Sequence, residues 1–320
     1  MTKEKTKAVK LRAFKIISSN ITKLTEPGSG ILKLLSEKLS DSSTAQERRR
    51  LRNKADNDED LLSSFEWQAD NSYLFGMMLR IMPGESGGQI DEKLFSHKKI
   101  TISDIEAGKE GTFQPKEMFY FALNDDFIVT NLSGTYSISG FQTYINWLLE
   151  SLRGKHLFDF NPVMTLRKGI PFSDVRSVVV GDSINISVGE GIGERLTMKG
   201  LFAMIIRSII DSTGNLDDVQ LEELISAELR LKPKGKPKGM QEEAYKRFMG
   251  TLIKPATDDD SVRLILRDGS SFDGKEIAKT RIIDKIETTS TGRLDEGQLK
   301  QEMERFLNEL NEEQHVATCY

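Results

Sequence analysis

The chain has 320 residues, a net charge of −4 and a mean hydropathy of −0.40, values typical of a soluble protein long enough for two domains. Its apolar stretches are shorter than the roughly 18 residues that span a bilayer, and its start lacks the apolar segment of a secretory signal, so we expect a cytoplasmic protein. The single cysteine, Cys319, excludes an internal disulfide, and three scattered histidines offer zinc no ligand cluster, so we expect no metal and no cofactor.

Strands are predicted at the start of the chain, interrupted by a polar segment. Alternating apolar and polar residues over 9–13 predict an opening strand, and a short helix is predicted around residues 31–39. The polar segment over residues 40–60 contains a dense basic cluster followed at once by acids: Arg48, Arg49, Arg50 and Arg52. Because neighbouring opposite charges partly cancel, we expect a flexible loop here with only a secondary role in binding.

The remainder of the first half predicts a strand, a hairpin and a helix. A strand over residues 73–82 is ended by a Pro-Gly pair, and a hairpin is indicated over residues 118–129 by its central Asn-Asp-Asp turn. Ser139 can cap a helix whose apolar positions over 141–152 follow helical spacing. We place an N-terminal α+β domain at residues 1–155.

The second half repeats these elements. Strands are predicted over residues 157–166, 175–188, 225–231, 262–267 and 277–286, and helices over 198–210 and 240–253. A last amphipathic helix buries one stripe: Leu299, Met303, Phe306, Leu307 and Leu310. The predicted class is therefore α+β, two domains with mostly antiparallel sheets flanked by helices. The second domain, residues 156–320, includes a basic sheet face and the C-terminal helix.

Charge is segregated along the chain. Residues 295–313 carry seven acids and two bases, a net of −5, which leaves +1 for the rest of a chain whose total is −4. Residues 228–247 carry seven bases and three acids. Within them the sequence LKPKGKPKG, residues 231–239, places a lysine at every second position between prolines and glycines. The mean charge conceals a basic region, as in many nucleic-acid-binding proteins.

This basic region predicts a track for DNA phosphates. If the strands of the second half are neighbours, their polar faces join into one basic surface. The candidate DNA-binding residues are Arg230, Lys232, Lys234, Lys236, Lys238, Lys246, Arg247, Arg263, Arg267, Lys279, Arg281 and Lys285. The track lacks interleaved aromatic residues, so it suits the phosphate backbone of double-stranded DNA rather than base stacking. The alternative is a lysine-rich solvated loop beside ordinary polar strand faces.

Other chemistries have weaker support. The glycines over residues 189–193 match neither a P-loop nor a dinucleotide-binding loop, and no serine or cysteine nucleophile motif occurs. Asp258, Asp259 and Asp260 could hold a divalent cation, which would make the protein a metal-dependent nuclease, although such runs are more often solvated turns. A third alternative is an interaction module whose acidic C-terminal helix docks a basic partner. We expect a binding protein without catalytic residues.

Several stretches resemble the RexA family of phage-exclusion proteins. The similarity runs through SHKKITISDIEAG, EMFYFALNDDFIVTNL, ISAELRLKPKGKPKG and VRLILRDG, and it covers most of residues 90–313 at the level of pattern and scattered identity. The resemblance implies a homodimer that binds DNA without sequence preference, a fold like that of RdgC, which encloses duplex DNA, and a membrane-protein partner of the RexB type. It implies phage exclusion, by superinfection exclusion or abortive infection, as the biological role.

The resemblance carries one feature residue by residue. It places DNA contacts at Lys232, Pro233 and Lys234 and on the helix that carries Lys246 and Arg247. This sequence departs from the family by inserting Gly-Lys-Pro-Lys-Gly and by carrying two glutamates at positions 242–243, where more bases are expected. The chain is also similar in size and expected partnership to KwaB, the DNA-binding subunit of the Kiwa antiphage defence system.

Overall fold

The chain is an α+β protein that divides into two compact units. The computed structural model describes residues 6–18, 30–40, 44–52, 57–68, 70, 72–84, 89–108, 111–132, 137–153, 157–163, 175–180, 229–232, 238–239, 262–273, 279–289 and 292–318. Met1–Phe160 and Thr280–Tyr320 form the first unit, and Asn161–Lys279 form the second. The chain therefore leaves the first unit after residue 160 and returns to it at residue 280.

Twelve strands lie within the described ranges, and every described strand register is antiparallel. The strands are β1 (Thr6–Ser18), β2 (Arg49–Leu51), β3 (Glu59–Trp67), β4 (Leu74–Pro83), β5 (Phe113–Leu123), β6 (Phe127–Thr130), β7 (Phe158–Pro162), β8 (Val175–Val180), β9 (Leu229–Leu231), β10 (Val262–Leu266), β11 (Ser271–Asp273) and β12 (Thr280–Glu287). One sheet has the order β12-β1-β6-β5-β4-β3-β2, with β7 beside β1, and the other has the order β11-β10-β8-β9.

Four α-helices are described, all in the first unit. They are α1 (Ile31–Lys38), α2 (Ile102–Ala107), α3 (Ile138–Arg153) and α4 (Glu296–Thr318), accompanied by short 3-10 helices at Gln46–Arg48 and Glu92–Ser96. Thr101 and Asp104 form a capping box that satisfies the first N–H groups of α2. At the start of α3 the hydroxyl of Ser137, two residues before the predicted cap Ser139, accepts a hydrogen bond from the Gly140 N–H (3.0 Å).

The main core lies between one sheet face and the helices α1 and α3. Phe141 of α3 is its centre, with ring centroids 5.3 Å from Phe119, 4.8 Å from Phe121 and 5.8 Å from Phe160. Residues 74–81 of β4 are all buried, because this strand is central in the sheet and covered on both faces. The apolar and aromatic stretch that predicted this strand, broken only by the buried Arg80, is thus explained by its burial on both faces.

Helix α4 packs on the strands β5, β6 and β12. The predicted apolar stripe is confirmed, since its five residues are all buried: Leu299, Met303, Phe306, Leu307 and Leu310. Burial of each of these side chains contributes roughly 2 kcal/mol to folding. This helix, predicted in the second domain, belongs to the first unit because its apolar stripe covers the first sheet.

Most elements predicted from local patterns are present where the structure describes the chain, whereas two predictions of organisation differ from the structure. A boundary was expected near residue 155 with everything after it in the second domain, but residues 280–320 belong to the first unit. The flexible loop expected over residues 40–60 instead contains, in its described part, a 3-10 helix, β2 and the start of β3. The predicted helices over 198–210 and 240–253 lie outside the described residues, as do the glycines over 189–193.

The interruption of the first unit can be tested by excision. The N–H of Lys279 donates a 2.6 Å hydrogen bond to the carbonyl of Val163, so the ends of the intervening segment are adjacent. We expect a chain in which a short Gly-Ser linker replaces residues 164–278 to keep the first sheet and to unfold cooperatively, because both helical layers of its core remain. Thermal circular dichroism checks this. A product without a cooperative transition would show that the first unit depends on the second.

Candidate nucleic-acid interface

The second sheet aligns two arginines on one face. In the described registers Arg230 of β9 pairs with Val179 of β8, and Val179 pairs with Arg263 of β10. Residues directly opposite each other on neighbouring strands point to the same side of a sheet, so the two arginines flank Val179. Val179 is buried and both arginines are exposed. With strands about 4.8 Å apart, the Cα atoms of the two arginines are roughly 10 Å apart.

Three other predicted bases of this unit are exposed, whereas Lys279 is half-buried. Lys232 follows β9 directly, two residues after Arg230; Arg267 lies in the turn between β10 and β11; and Lys238 lies in a turn before Gly239. We call Arg230, Lys232 and Arg263 the second-sheet basic surface. The predicted residues Lys234, Lys236, Lys246 and Arg247 lie outside the described residues.

The sequence-based set omitted one base of the same sheet. Arg176 lies on β8, between β9 and β10, and is exposed. It occupies the irregularity where β8 gains a residue relative to β10. Arg176 is the only base of β8, whose other residues are valines and one serine, so the sequence of this strand does not indicate a charged face.

The expected continuous face does not extend to β12. That expectation required β12 to neighbour the strand ending at Lys232, but β12 pairs with β1 at the edge of the first sheet. Lys279, at the end of the second unit, directly precedes β12. Thus Arg281 and Lys285 lie on a different sheet from Arg230 and Arg263.

Arg281 also differs from the expectation because acids already neutralise it. Its guanidinium lies 2.8 Å from the carboxylate of Glu309 and 3.5 Å from that of Glu302, both on α4. Through these ion pairs Arg281 ties β12 to the polar side of α4. Lys285, in contrast, is exposed on the edge strand.

The arginine cluster once expected to be mobile is largely structural. Arg48 is 1% exposed, and its guanidinium donates to the carbonyl oxygens of Leu62 (2.9 Å), Thr44 (3.0 Å) and Lys98. Burial lowers the pKa of Arg48 from its ordinary value. The Tyr144 hydroxyl donates to the Arg48 carbonyl (2.7 Å), and its own pKa is raised by burial. Arg48 therefore links α3, β3 and the segment before α2.

Arg49, the first residue of β2, is also held by contacts with neighbouring side chains. Its guanidinium makes a two-point contact with the Glu59 carboxylate, at 2.5 and 3.0 Å. The same group also lies against the rings of Phe95 and Phe113, 4.1 and 4.5 Å from their centroids. Stacking and a bidentate ion pair together occupy an arginine fully, so Arg49 is not a surface contact for DNA.

Metal binding finds no support in the part of the chain that the structure describes. There, no group of three or more histidine, cysteine, aspartate or glutamate side chains is placed to hold a metal ion. Asp258, Asp259 and Asp260 lie outside that part.

No helix among the described residues combines the length and apolar character needed to cross a bilayer. Comparison with known proteins found no matching family model and no matching curated protein.

A first prediction concerns the buried arginine. Arg48→Met removes a charge and its donors, and leaves the carbonyls of Thr44, Leu62 and Lys98 without these hydrogen bonds. We expect the free energy of unfolding to fall by about 3 kcal/mol. Chemical denaturation measures this, with Lys33→Met, an exposed site on α1, as the control. Equal midpoints for the two variants would contradict the structural role of Arg48.

The exposed Arg230 and the half-buried Arg281 should differ as contacts for DNA. Arg281→Gln should leave the salt dependence of duplex binding unchanged, because Glu302 and Glu309 already neutralise this side chain, and should cost about 0.5 kcal/mol of stability. Arg230→Gln should flatten the slope of log K against log salt by about 0.9. Fluorescence anisotropy over a salt series measures both. Equal flattening in the two variants would contradict the placement.

Proposed function

We propose that the protein binds double-stranded DNA without sequence preference through the second-sheet basic surface. The observation that carries the proposal is the row in which Arg230 and Arg263 flank the buried Val179. A sheet places Cβ atoms at fixed intervals, so these two arginine side chains start from defined positions on one face. Lys232, exposed two residues after Arg230, adds a third charge beside the row.

The side chains of this surface favour phosphates over bases as the contacted groups. Arginine and lysine bind phosphate oxygens by charge and hydrogen bonding, and phosphate contacts carry no sequence information by themselves. The only aromatic residue among the described positions of the second unit is Phe272, which is half-buried. Base stacking, the usual means of holding single strands, therefore has no exposed platform within those positions.

The lysine segment after β9 extends the same proposal. Lys234 and Lys236, with Lys232 and Lys238 on either side of them, alternate with proline and glycine over residues 231–239. Prolines stiffen such a segment, and glycines leave its backbone accessible to a ligand. We propose that the lysines of this segment also bind phosphates of the DNA backbone.

The biological role rests on resemblance. Similarity to the RexA family supports a non-catalytic, homodimeric phage-exclusion protein that acts in the cytoplasm with a membrane-protein partner of the RexB type. Similarity to KwaB supports the DNA-binding subunit of a Kiwa-type antiphage system instead. Both roles require the same DNA-binding activity, so this activity is the part to test first.

The test is the salt dependence of binding. Binding by counterion release makes log K fall linearly with log salt, with a slope of about −0.9 per phosphate neutralised. Replacing Lys232, Lys234, Lys236 and Lys238 together by alanine should flatten the slope by roughly 3 to 4 and weaken binding equally for unrelated sequences. The matched control replaces four exposed lysines of the first unit by alanine, namely Lys7, Lys15, Lys33 and Lys93.

Two outcomes of this experiment would overturn the proposal. An unchanged slope and affinity in the quadruple variant would reduce the lysine segment to a solvated loop. Cleavage of the duplex in magnesium or manganese, lost on Asp259→Ala, would identify a nuclease instead. Retarded but intact DNA, with the slope flattened only in the quadruple variant of the lysine segment, is the result we expect.

A further inference from the structure

A partly buried carboxyl lies where α4 begins. Glu296 is the first residue of this helix, and its Oε1 atom is buried without a hydrogen-bond partner in the described part of the chain. An ionised carboxylate needs donors for both of its oxygens, and leaving one of them buried and unpartnered is costly. The position of this oxygen therefore favours the neutral, protonated carboxyl over the carboxylate.

The partner of this carboxyl is Tyr120 on β5. The Tyr120 side chain is 1% exposed, its ring stacks on Phe75 with 5.8 Å between centroids, and its hydroxyl hydrogen-bonds with the Glu296 carboxyl. The same hydroxyl donates to the sulfur of Met118 (3.8 Å). While it donates to Met118, its oxygen can accept the hydrogen of a protonated Glu296. The Glu296–Tyr120 contact thus joins α4 to the sheet, and the neutral carboxyl forms it without a buried charge.

The N–H groups at the start of α4 are used by a different acid. Helix N-termini usually stabilise carboxylates, because their first N–H groups have no partners within the helix. In α4 the Asp295 carboxylate accepts a hydrogen bond from the Gln298 N–H (2.8 Å), and the Asp295 carbonyl accepts one from the Leu299 N–H (3.1 Å). Asp295 therefore caps the helix, and the carboxyl of Glu296 contacts the sheet.

The groups that act electrostatically on Glu296 are acids. Burial raises the pKa of Glu296 above its ordinary value, and the hydrogen bond with Tyr120 offsets this only in part. The negative charges of Asp295 and of Glu66 on β3 raise the pKa further. Charge and burial therefore act in the same direction as the unpartnered oxygen.

The neighbouring elements do not supply a base for Glu296. Lys300 forms an ion pair with Glu66, and the guanidinium of Arg293 lies 4.0 Å from Glu106 of α2. Of the strands packed against α4, β6 has no titratable residue, and β12 ends at an acid, Glu287, beside the first turn of the helix.

We propose that protonation of Glu296 holds the first turn of α4 on the sheet. In the protonated state the Glu296–Tyr120 contact joins helix and strand without a buried charge. In the ionised state the carboxylate gains a donor for Oε1 only from water, so the first turn loosens from β5. This proposal does not rest on the proposed DNA binding, because all of its residues belong to the first unit.

The direction of the pH effect follows from the raised pKa of Glu296. The folded protein holds this proton more tightly than the unfolded chain does, so the contact contributes fully below the ordinary pKa of a glutamate. The contribution is lost as the pH rises through the raised pKa of the folded protein. Ion-paired carboxylates behave in the opposite way, because a neighbouring base lowers their pKa.

The first measurement follows the Glu296 carboxyl in the full-length protein with isotope-labelled glutamate. Its Cδ resonance, identified as the signal absent from Glu296→Gln, should titrate at higher pH than an ordinary glutamate. Tyr120→Phe should move this titration to still higher pH, because it removes the donor that favours the carboxylate. A Glu296 signal that titrates at or below the ordinary pH of a glutamate would overturn the proposal.

The second measurement tests whether this proton controls the helix. Hydrogen exchange is compared at about pH 5 and about pH 8 as protection factors, which correct for the intrinsic pH dependence of exchange. The protection of residues 299–303 should fall about threefold or more between these values, relative to residues 141–149 of α3. The reference to α3 separates a change in α4 from a change in the stability of the whole unit.

Two variants on the same helix complete the test. Glu296→Gln, a neutral residue of the same shape, should keep residues 299–303 protected at the higher pH. The matched control is Glu312→Gln, which removes the same charge from an exposed position of α4 and should retain the pH dependence. The same pH dependence in both variants, or none in the unaltered protein, would show that the Glu296 proton does not hold the helix.

Discussion

The pairing of β1 with β12 is the interaction on which the architecture of the first unit depends. Thr6 lies opposite Glu287 and Arg12 opposite Thr280, so two segments from opposite ends of the described chain form one antiparallel ladder. Once β12 is in the sheet, α4 follows directly and its apolar stripe covers the sheet face opposite α1 and α3. Because β12 pairs with β1, Arg281 lies on the first sheet, beside Glu302 and Glu309 of α4.

Arginine has different roles in the two units, and its surroundings decide which. Arg48 donates to carbonyl oxygens in the core, and Arg80 lies between Asp60 (3.4 Å) and Glu117 (2.9 Å). These side chains hold neighbouring strands together, because a buried charge is tolerated only where partners surround it. Arg230 and Arg263, in contrast, are exposed on a small sheet. A local count of basic residues is therefore a poor measure of the positive charge that a ligand meets.

Local patterns predicted most of the elements. The alternation of apolar and polar residues over 9–13 and the apolar stripe from Leu299 to Leu310 indicate which face of each element is buried. They could not predict strand partners, because a period of two gives the face of a strand but not its neighbour. That is why β12 was expected beside the strand ending at Lys232, although it pairs with β1. The structural role of Arg48 could not be predicted for a related reason. Its acceptors are backbone carbonyls of β3 and of the segment before α2, and the residues next to Arg48 in sequence do not indicate such distant acceptors.

The order of elements along the chain has a consequence for biosynthesis. A ribosome completes β1 early, but the edge that β12 covers stays open until residues 280–287 have been made. The second unit, continuous from Asn161 to Lys279, is finished before that point. Open strand edges are where nascent chains pair with the wrong partner, and ladders of high contact order close slowly. A premature stop ahead of β12 would thus release a polypeptide whose inserted unit is complete but whose first sheet has an unprotected edge and lacks the α4 layer, a substrate for chaperones and proteases.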